Sequence, residues 1–429
     1  MANNRIICAA TWTARLLVGC VFVFSGFVKA IDPFGSIYKA EAYLSALSLE
    51  IWPNLILLGV FSLCAIEFLV GVFILFGCFR KSIIIIAALI MAFMLPITLW
   101  LAIDNPIDDC GCFGDAIKIS NWTSFWKNII LCAAIVWLYF YNKRCHWLVT
   151  PALQWIAFVV TGLFILTIEL FGYIGQPLID FRQYKIGQKL SDIDEDVYDI
   201  REFVFIYEKN GYKKSFNADD SLPDENNGWK FIERKEMAST HSNPTLKAPN
   251  NIRIWDKTGN EDITAQAIVT DGKELLIMMP NLKEVSPATT WKLNSLYEWS
   301  VKNNVTMAAV VAGTTHDIEE WEDLSMASYP IYTADDTQLK EVVRGNPGVV
   351  YLVNGIIKWK SSLTAINIDD FLSPDTSSDA MSFGTDNLRI LRNSIYIYLA
   401  VMAVLIFLSF TPVIKTYYIG KKSAKKENE

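Results

Sequence analysis

Long apolar segments alternate with short polar ones over the first 175 residues, and one more apolar segment lies near the end of the chain. Each of the six is close to the ~20 residues that a helix needs to cross the hydrocarbon core of a bilayer. They cover residues 11–30, 53–76, 82–103, 124–141, 153–173 and 394–413. Because only helices and closed barrels span a bilayer, this pattern predicts six transmembrane helices.

Basic residues next to these segments predict their orientation. Lys and Arg occur at Arg5, at 80–81, at 143–144 and at 421–426. With six crossings all four sites lie on one face, which the positive-inside rule makes cytoplasmic. We therefore predict a multi-pass protein of the inner (cytoplasmic) membrane with both termini in the cytoplasm and residues 175–393 in the periplasm. The first segment has no small-residue cleavage site, and we expect it to remain as an anchor.

Between the fifth and sixth apolar segments the pattern is that of a soluble domain. Two strand-like stretches flank Asn210–Gly211, a hairpin signal. From residue 273 onward, predicted strands alternate with predicted helices and end in a strand pair divided by Asn354–Gly355. The predicted strands include 274–279, 305–312 and 329–332, and the predicted helices are 287–303, 317–324, 336–343 and 364–372. This alternation is typical of an α/β sheet covered by helices.

Charge narrows the choice of partners. Residues 175–393 contain 34 acidic and 23 basic side chains. An acidic domain argues against nucleic acid or anionic lipid as its ligand. The partners that we expect are membrane lipid around the helices and a periplasmic client protein, with no nucleic acid.

All eight cysteines precede residue 146, and only Cys110 and Cys112 fall in a predicted outer loop. Gly111 gives the backbone freedom for a very small disulfide ring, and strained, exposed disulfides are labile and oxidising. The acidic neighbours at 108–109 and Asp115 should raise a thiol pKa. A redox pair, a structural disulfide and two inert thiols therefore remain open. No metal site is predicted, because His146, His241 and His316 lack metal-ligand spacing.

Glu67 lies near the middle of the second apolar segment, where a carboxylate is costly and must be paired, protonated or turned inward. Lys29 and Asp32 lie three residues apart at the outer end of the first helix and can pair or reach the interface. One interpretation is an ion pair between helices. The other is a proton relay or a quinone-like ligand site. No cofactor is identified, and for a quinone the sequence offers no support beyond this residue.

The membrane half resembles the DoxX/MauE family over about residues 5–145. The resemblance lies in the run from Ser25 to Pro33, in Glu67, and in the hexapeptide Cys-Gly-Cys-Phe-Gly-Asp that begins at Cys110. Members are four-helix bundles, and the MauE branch is associated with maturing a disulfide-bearing periplasmic amine dehydrogenase. The resemblance implies that Cys110 and Cys112 take part in thiol–disulfide chemistry, with Glu67, Lys29 and Asp32 as supporting polar groups. This chain adds a fifth span, a large outer domain and a sixth span.

Residues 251–372 resemble a thioredoxin-like domain, on the order of their elements and on the run from Gly345 to Gly355. The resemblance implies that Pro347 is a cis proline and that, with Asn346, it lines a groove for a partner. The segment 280–287 occupies the position of the family's Cys-x-x-Cys and contains no cysteine. This domain therefore cannot exchange disulfides by itself.

The predicted fold class is a membrane α-helical bundle of six transmembrane helices plus a soluble α/β thioredoxin-like domain without Cys-x-x-Cys. The predicted domains are the bundle with its fifth helix (1–175), a β-rich periplasmic subdomain (176–250), the thioredoxin-like domain (251–372), a linker (373–387) and the sixth helix with a basic tail (388–429).

Three functions follow from these predictions. The first is support of periplasmic thiol–disulfide chemistry, or maturation of a client, through the Cys-Gly-Cys loop, with an oxidoreductase-type activity. The second is a non-catalytic scaffold whose acidic domain docks a partner. The third is a small-molecule transporter, suggested by Glu67 but disfavoured because the sequence has no evident inverted repeat.

Overall fold

A computed structural model of the chain describes residues 2–47, 49, 51–107, 109–142, 148–190, 202–209, 212–217, 230–237, 252–372 and 387–426. The membrane half begins with six helices. They are α1 Ala2–Ile31, α2 Pro33–Ala46, α3 Pro53–Phe76, α4 Arg80–Asp104, α5 Asn121–Tyr141 and α6 Gln154–Ile174. All except α2 correspond to predicted spans.

The last helix, called α12 because five shorter ones precede it, runs over Asn387–Lys426. Within the described part of the chain, six helices are long and apolar enough to cross a membrane, the last of them over Asn387–Phe410. This confirms the multi-pass membrane half. The residues of the basic cluster at 143–144 lie outside the described residues, and the side on which the termini lie stays a prediction.

Helix α2 lies between the first two apolar segments, where the sequence pattern predicts no helix. Its start has a plain physical cause. The Asp32 carboxylate caps the helix by accepting a hydrogen bond from the Gly35 N–H at 3.0 Å, and Pro33 occupies the first helical position, where no N–H is needed. The helix places Lys39 and Tyr43 above the helical bundle, where both contact the cysteine loop.

Helices α1 and α3 are packed unusually closely, and glycines permit it. A Cβ on Gly26 would lie only 2.5 Å from the backbone nitrogen of Phe68, and a Cβ on Gly71 would collide with the backbone of Val23. Small residues at helix contacts let two membrane helices approach in this way. The close contact brings Lys29 of α1 next to Glu67 of α3.

A small antiparallel sheet follows the membrane half. It consists of β1 Glu202–Lys209, β2 Tyr212–Asn217 and β3 Lys230–Met237, in the order β2-β1-β3. The pairing of β1 with β2 confirms the predicted hairpin, although its turn residues lie outside the described residues. Strand β3 was not predicted. The polar loops expected at 217–228 and 238–250 lie almost entirely outside the described residues.

The second soluble unit is a six-stranded sheet with strand order β4-β7-β6-β5-β8-β9. Strands β5, β6 and β7 are parallel, whereas β8 and β9 form an antiparallel hairpin at the other side of β5. The strands are β4 Ile254–Trp255, β5 Lys273–Met279, β6 Thr306–Val311, β7 Ile331–Ala334, β8 Gly348–Val353 and β9 Ile356–Ser362. The helices are α7 Thr264–Ala267, α8 Thr290–Lys302, α9 Thr315–Ser325, α10 Asp336–Val342 and α11 Ile368–Leu372.

Alternate residues of β5 fill two separate cores, one on each face of this sheet. Leu275 and Ile277 belong to one, and Leu276 and Met278 to the other. A strand buried on both faces reads as a continuous apolar run, which is why β5 was predictable. The Asn346–Pro347 peptide before the hairpin is cis. This strand order, the parallel βαβ units and the hairpin after the cis proline confirm the predicted thioredoxin-like α/β class.

Residues 176–190, assigned from the sequence to the β-rich subdomain, run instead along the edge of the six-stranded sheet. The Gly187 N–H donates to the Ile357 carbonyl at 2.8 Å, and Lys189 forms a bridge with Ile356. The edge strand β9 offers unpaired backbone groups, which this segment satisfies. The predicted linker lies outside the described residues apart from its last position, where α12 begins.

Candidate functional site

Cys110 and Cys112 lie between α4 and α5, at the end of the bundle that carries the soluble domain. Both are free thiols in this structure, and they share one short loop. Gly111 has φ +60°, a left-handed conformation that favours glycine, and a Cβ there would lie 3.2 Å from the Lys39 side chain. Cys110 is 8% exposed and Cys112 is partly buried. The predicted pair is therefore present, and Cys112 is the more exposed residue of the two.

Helix α2 holds this loop from one side. The Tyr43 hydroxyl donates to the Cys110 carbonyl at 2.6 Å, and the Lys39 ammonium binds the Asp109 carboxylate at 2.8 Å. Asp109 in turn accepts a hydrogen bond from the Gly111 N–H at 2.8 Å. The loop that carries both sulfurs is thus fixed by side chains of a helix that sequence reasoning missed.

A chain of polar contacts holds the loop from below, within the bundle. The Lys29 ammonium lies 2.8 and 2.9 Å from the two carboxylate oxygens of Glu67. The Ser25 hydroxyl lies 2.8 Å from the same carboxylate and 2.7 Å from the Cys112 carbonyl. Ser25 therefore connects the buried ion pair to the backbone of the cysteine loop. The interhelical ion pair, one of the two sequence interpretations of Glu67, is present, but its functional role stays a prediction.

The structure shows neither of the two possibilities for Lys29, a pair with Asp32 or an approach to the interface. Lys29 is only 8% exposed and turns inward to Glu67, because the glycine contacts bring α3 within reach. Asp32 instead binds Arg344, which belongs to the soluble domain, at 2.8 Å. The same guanidinium binds Asp115 of the cysteine loop at 2.6 Å. Arg344 thus fastens the soluble domain to the start of α2 and to the cysteine loop at once.

The two sulfurs have opposite acidities. Hydrogen bonding from the Cys112 thiol and from the Ser124 hydroxyl, 3.1 Å away, lowers the pKa of Cys110 to about 6, against the opposing effect of burial. The same contact with Cys110, together with burial, raises the pKa of Cys112 well above its ordinary value. The expectation that acidic neighbours raise a thiol pKa does not hold for Cys110, because hydrogen bonds with Cys112 and Ser124 lower its pKa.

A cavity of about 620 Å³ opens beneath the loop. Both cysteines, Lys29, Glu67 and Lys127 line its polar end, and the rest of its wall is formed mainly by apolar side chains of α1, α2, α3 and α4. The Lys127 ammonium lies 4.3 Å from the centre of the Phe113 ring. The ligand site considered for Glu67 from the sequence did not define this cavity, because its wall is assembled from several helices.

The residues predicted for a partner groove lie beside the Arg344 contact. Pro347 is buried, whereas Asn346 is exposed and donates a hydrogen bond from its side-chain amide to the Asn281 carbonyl at 2.7 Å. This contact connects the proline loop to the segment that replaces Cys-x-x-Cys. Binding of a partner at Asn346 and Pro347 stays a prediction.

Two further groups escaped the sequence analysis. Glu169 in α6 is fully buried, and within the described residues neither carboxylate oxygen has a hydrogen-bond partner. Its position inside the fifth apolar segment was the signal that could have revealed it. Arg344 gave no such signal, since its partner Asp32 is 312 positions away. In the part of the chain that the structure describes, no cluster of His, Cys, Asp or Glu could hold a metal ion.

Comparisons with known proteins agree with the division into a membrane half and soluble units. Residues 7–141 match the family described as "Methylamine utilisation protein MauE", and residues 202–238, which contain the small sheet, match a domain of unknown function, DUF8463. No curated protein matches the chain.

One solved structure, of the mitochondrial 2-Cys peroxiredoxin from Plasmodium falciparum, is similar at 14% identity over 36% of this chain and 92% of that chain, with a TM-score of 0.20. The assignment of the α/β fold rests on strand order and not on this likeness. The membrane part of this chain, from the first helix through α5, is MauE-like.

Proposed function

We propose that this chain is a thiol–disulfide oxidoreductase of the inner membrane that oxidises two thiols of a periplasmic client through a Cys110–Cys112 disulfide. The observation that carries the proposal is that two free thiols, two positions apart, share one loop that Tyr43, Lys39 and Ser25 anchor beside a cavity. Their unequal acidity supports it. Cys110 has a lowered pKa and Cys112 a raised one. Reactive cysteines differ from structural ones in this perturbed acidity. The MauE-like character of the membrane part supports a site at the membrane surface.

The asymmetry gives each sulfur a role in the exchange. A client thiolate attacks the sulfur of Cys112, and the Cys110 sulfur leaves as a thiolate, since a low pKa favours departure. The second client thiolate then attacks the client sulfur of the mixed disulfide. This releases Cys112, which takes up a proton because its pKa is high. The client gains one disulfide, and Cys110 and Cys112 end as a dithiol.

The soluble domain has the role of holding the client in this proposal. It contains no sulfur of its own to exchange, and Arg344 ties it to the cysteine loop through Asp115. The exposed Asn346 follows Arg344 by two positions, so a client bound there meets the loop. The orientation with this domain in the periplasm rests on the distribution of Lys and Arg along the sequence.

The test uses the full chain in nanodiscs and a peptide with two reduced cysteines. The protein is first oxidised with diamide, which leaves no thiol adduct on a cysteine without a partner, and the diamide is then removed. We expect each molecule of protein to oxidise one peptide, and the Cys110→Ser and Cys112→Ser variants to oxidise none. Cys132→Ser, which removes a cysteine of α5, is the matched control and should keep full stoichiometry. Undiminished peptide oxidation by the double variant Cys110→Ser/Cys112→Ser would refute the proposal.

A scaffold without chemistry is the second candidate function, and the buried contact of Arg344 with Asp32 and Asp115 favours it. Such a contact fixes the position of a docking domain whether or not the sulfurs react. An experiment in cells distinguishes the two functions. If the protein is a scaffold, the Cys110→Ser/Cys112→Ser variant retains full client maturation. An oxidoreductase loses it.

A further inference from the structure

The dithiol that remains after a client has been oxidised must pass on two electrons before the protein can act again. The structure has a cavity beside both cysteines, where an electron acceptor would reach them. The cavity of about 620 Å³ is lined by Cys110 and Cys112 at one end. This volume lies within the ~300–1,000 Å³ of small-molecule sites. The sulfurs therefore lie between the domain end of the bundle and an internal binding space.

The walls of the cavity decide how polar its occupant can be. Apart from α2, they come from helices α1, α3, α4 and α5, which are long and apolar enough to cross a membrane. The rim includes exposed apolar side chains such as Leu47, Ile51 and Leu55. A charged ligand would lose its hydration in such a space without enough polar partners. The occupant must be a molecule that dissolves in lipid.

The polar end offers hydrogen-bond donors beside the sulfurs. Lys29 and Lys39 are bound to carboxylates, whereas the contact that the structure gives Lys127 is the face of the Phe113 ring. Its ammonium has N–H groups to donate to a carbonyl oxygen of a ligand. An apolar body with a carbonyl-bearing head fits both ends of the cavity.

We propose that this cavity binds a lipid-soluble quinone, with its head group beside Cys110 and Cys112 and with Lys127 donating to one carbonyl oxygen. The inference rests on the proposed thiol oxidation and names its electron acceptor. Two S–H bonds break and one S–S bond forms, while the two carbonyl oxygens of the quinone each gain a proton and become the hydroxyls of a quinol. Two electrons and two protons pass from dithiol to quinone, so the step is balanced.

The experiment uses the full chain, reduced and freed of reductant, in nanodiscs without oxygen. Decylubiquinone is added, quinol formation is followed by absorbance, and the two thiols are followed by alkylation and mass spectrometry. We expect one quinol for each disulfide formed. If a disulfide forms with oxidised glutathione but not with decylubiquinone or menadione, the quinone inference is overturned and the proposed function stands. Absence of a disulfide with any oxidant overturns both.

A pair of glycines supplies matched variants for this cavity. Gly59 lines it, Gly162 of α6 does not, and a Cβ at either position would meet nothing within 4 Å. We expect Gly59→Leu to fill the space and slow quinol formation at least tenfold, with the glutathione equilibrium of the cysteines unchanged. Gly162→Leu should behave as the wild type. Equal quinone rates in all three proteins would contradict binding in this cavity.

Lys127→Met gives a second readout that does not depend on the Gly59 variant folding. Loss of the proposed donor should raise the KM for decylubiquinone several-fold, with the larger effect on KM than on kcat. Lys118→Met, in the loop before α5, is the matched control. An unchanged KM in Lys127→Met would remove the assigned donor, and unchanged rates in both this variant and Gly59→Leu would overturn the inference as a whole.

Discussion

Arg344 joins the soluble domain to the membrane half, and its removal is the most informative perturbation of the architecture. The side chain of Arg344 is 6% exposed, and those of Asp32 and Asp115 are 12% and 19% exposed. Substitution by methionine keeps much of the volume but leaves two neighbouring carboxylates without their cation. Breaking a buried ion pair by removing one partner costs ~3–5 kcal/mol. Because both carboxylates retain some access to water, we expect a loss of ~3 kcal/mol in docking of the domain.

A loss of this size changes the ratio of docked to undocked domain about 100-fold. Hydrogen exchange measures this change, because Asp32 and Asp115 bind the docked domain, and we expect amides at the start of α2 and in the 109–116 loop to open more readily when it undocks. We expect these amides to exchange about 100-fold faster in Arg344→Met. Lys257→Met is the control, since its partly exposed pair with Glu322 lies within the soluble domain, and such pairs contribute little.

The double variant Asp32→Asn/Arg344→Met completes a cycle that isolates the pair. Asparagine also caps helices well, so this substitution removes the charge of Asp32 without removing the start of α2. We expect the double variant to be less destabilised than the sum of the two single variants. Exchange rates in Arg344→Met equal to those of the wild type would refute the idea that this contact holds the domain in place.

Three further predictions concern the site itself. Alkylation of Cys110 by iodoacetamide should slow as the pH falls through about 6, where its thiolate takes up a proton. In Ser124→Ala the midpoint of this pH dependence should move to higher pH, because the hydroxyl that stabilises the thiolate is gone. Glu67→Gln should lower the free energy of unfolding in detergent by ~3–5 kcal/mol, because it leaves the Lys29 ammonium buried without its anion. The double variant Lys29→Met/Glu67→Gln should recover part of that loss. Tyr43→Phe should increase hydrogen exchange in the cysteine loop by removing its 2.6 Å bond to the Cys110 carbonyl, at a cost of ~0.5–1.5 kcal/mol, and exchange equal to the wild type would contradict this anchor.

The sequence was informative wherever one periodic signal governs a whole element. The apolar spans and the continuous apolar run of β5 are such signals, and each corresponds to an element of the structure, although the first and last helices extend well beyond their predicted spans. Helix α2 was missed because its capping signal, Asp32 followed by Pro33, lies between two spans in what reads as a short loop. Strand β3 was missed because its pattern, Lys230–Met237, is strongly charged and lacks an apolar run.

The candidate site was predictable in its sulfurs and not in its contacts. Cys110 and Cys112 were evident from their spacing, their glycine and their position outside the spans. Their different acidities were not, because they depend on the hydrogen bond between the two thiols and, for Cys110, on Ser124, which lies 14 positions away and reaches it through the turn into α5. The partners of Lys29 and Asp32 were also out of reach. Glu67 and Arg344 approach them only through helix packing and the docking of a distant domain.

The central claim is that Cys110 and Cys112 interconvert between dithiol and disulfide in the folded protein. The most direct test is a redox titration of the full chain in nanodiscs against glutathione buffers, with acid quenching, alkylation and the mass of the peptide that contains both cysteines. We expect a single two-electron transition in this peptide. Its potential should lie above about −300 mV, below which disulfides are typically inert and structural. Two cysteines alkylated at every glutathione ratio, or a disulfide that no ratio reduces, would contradict it.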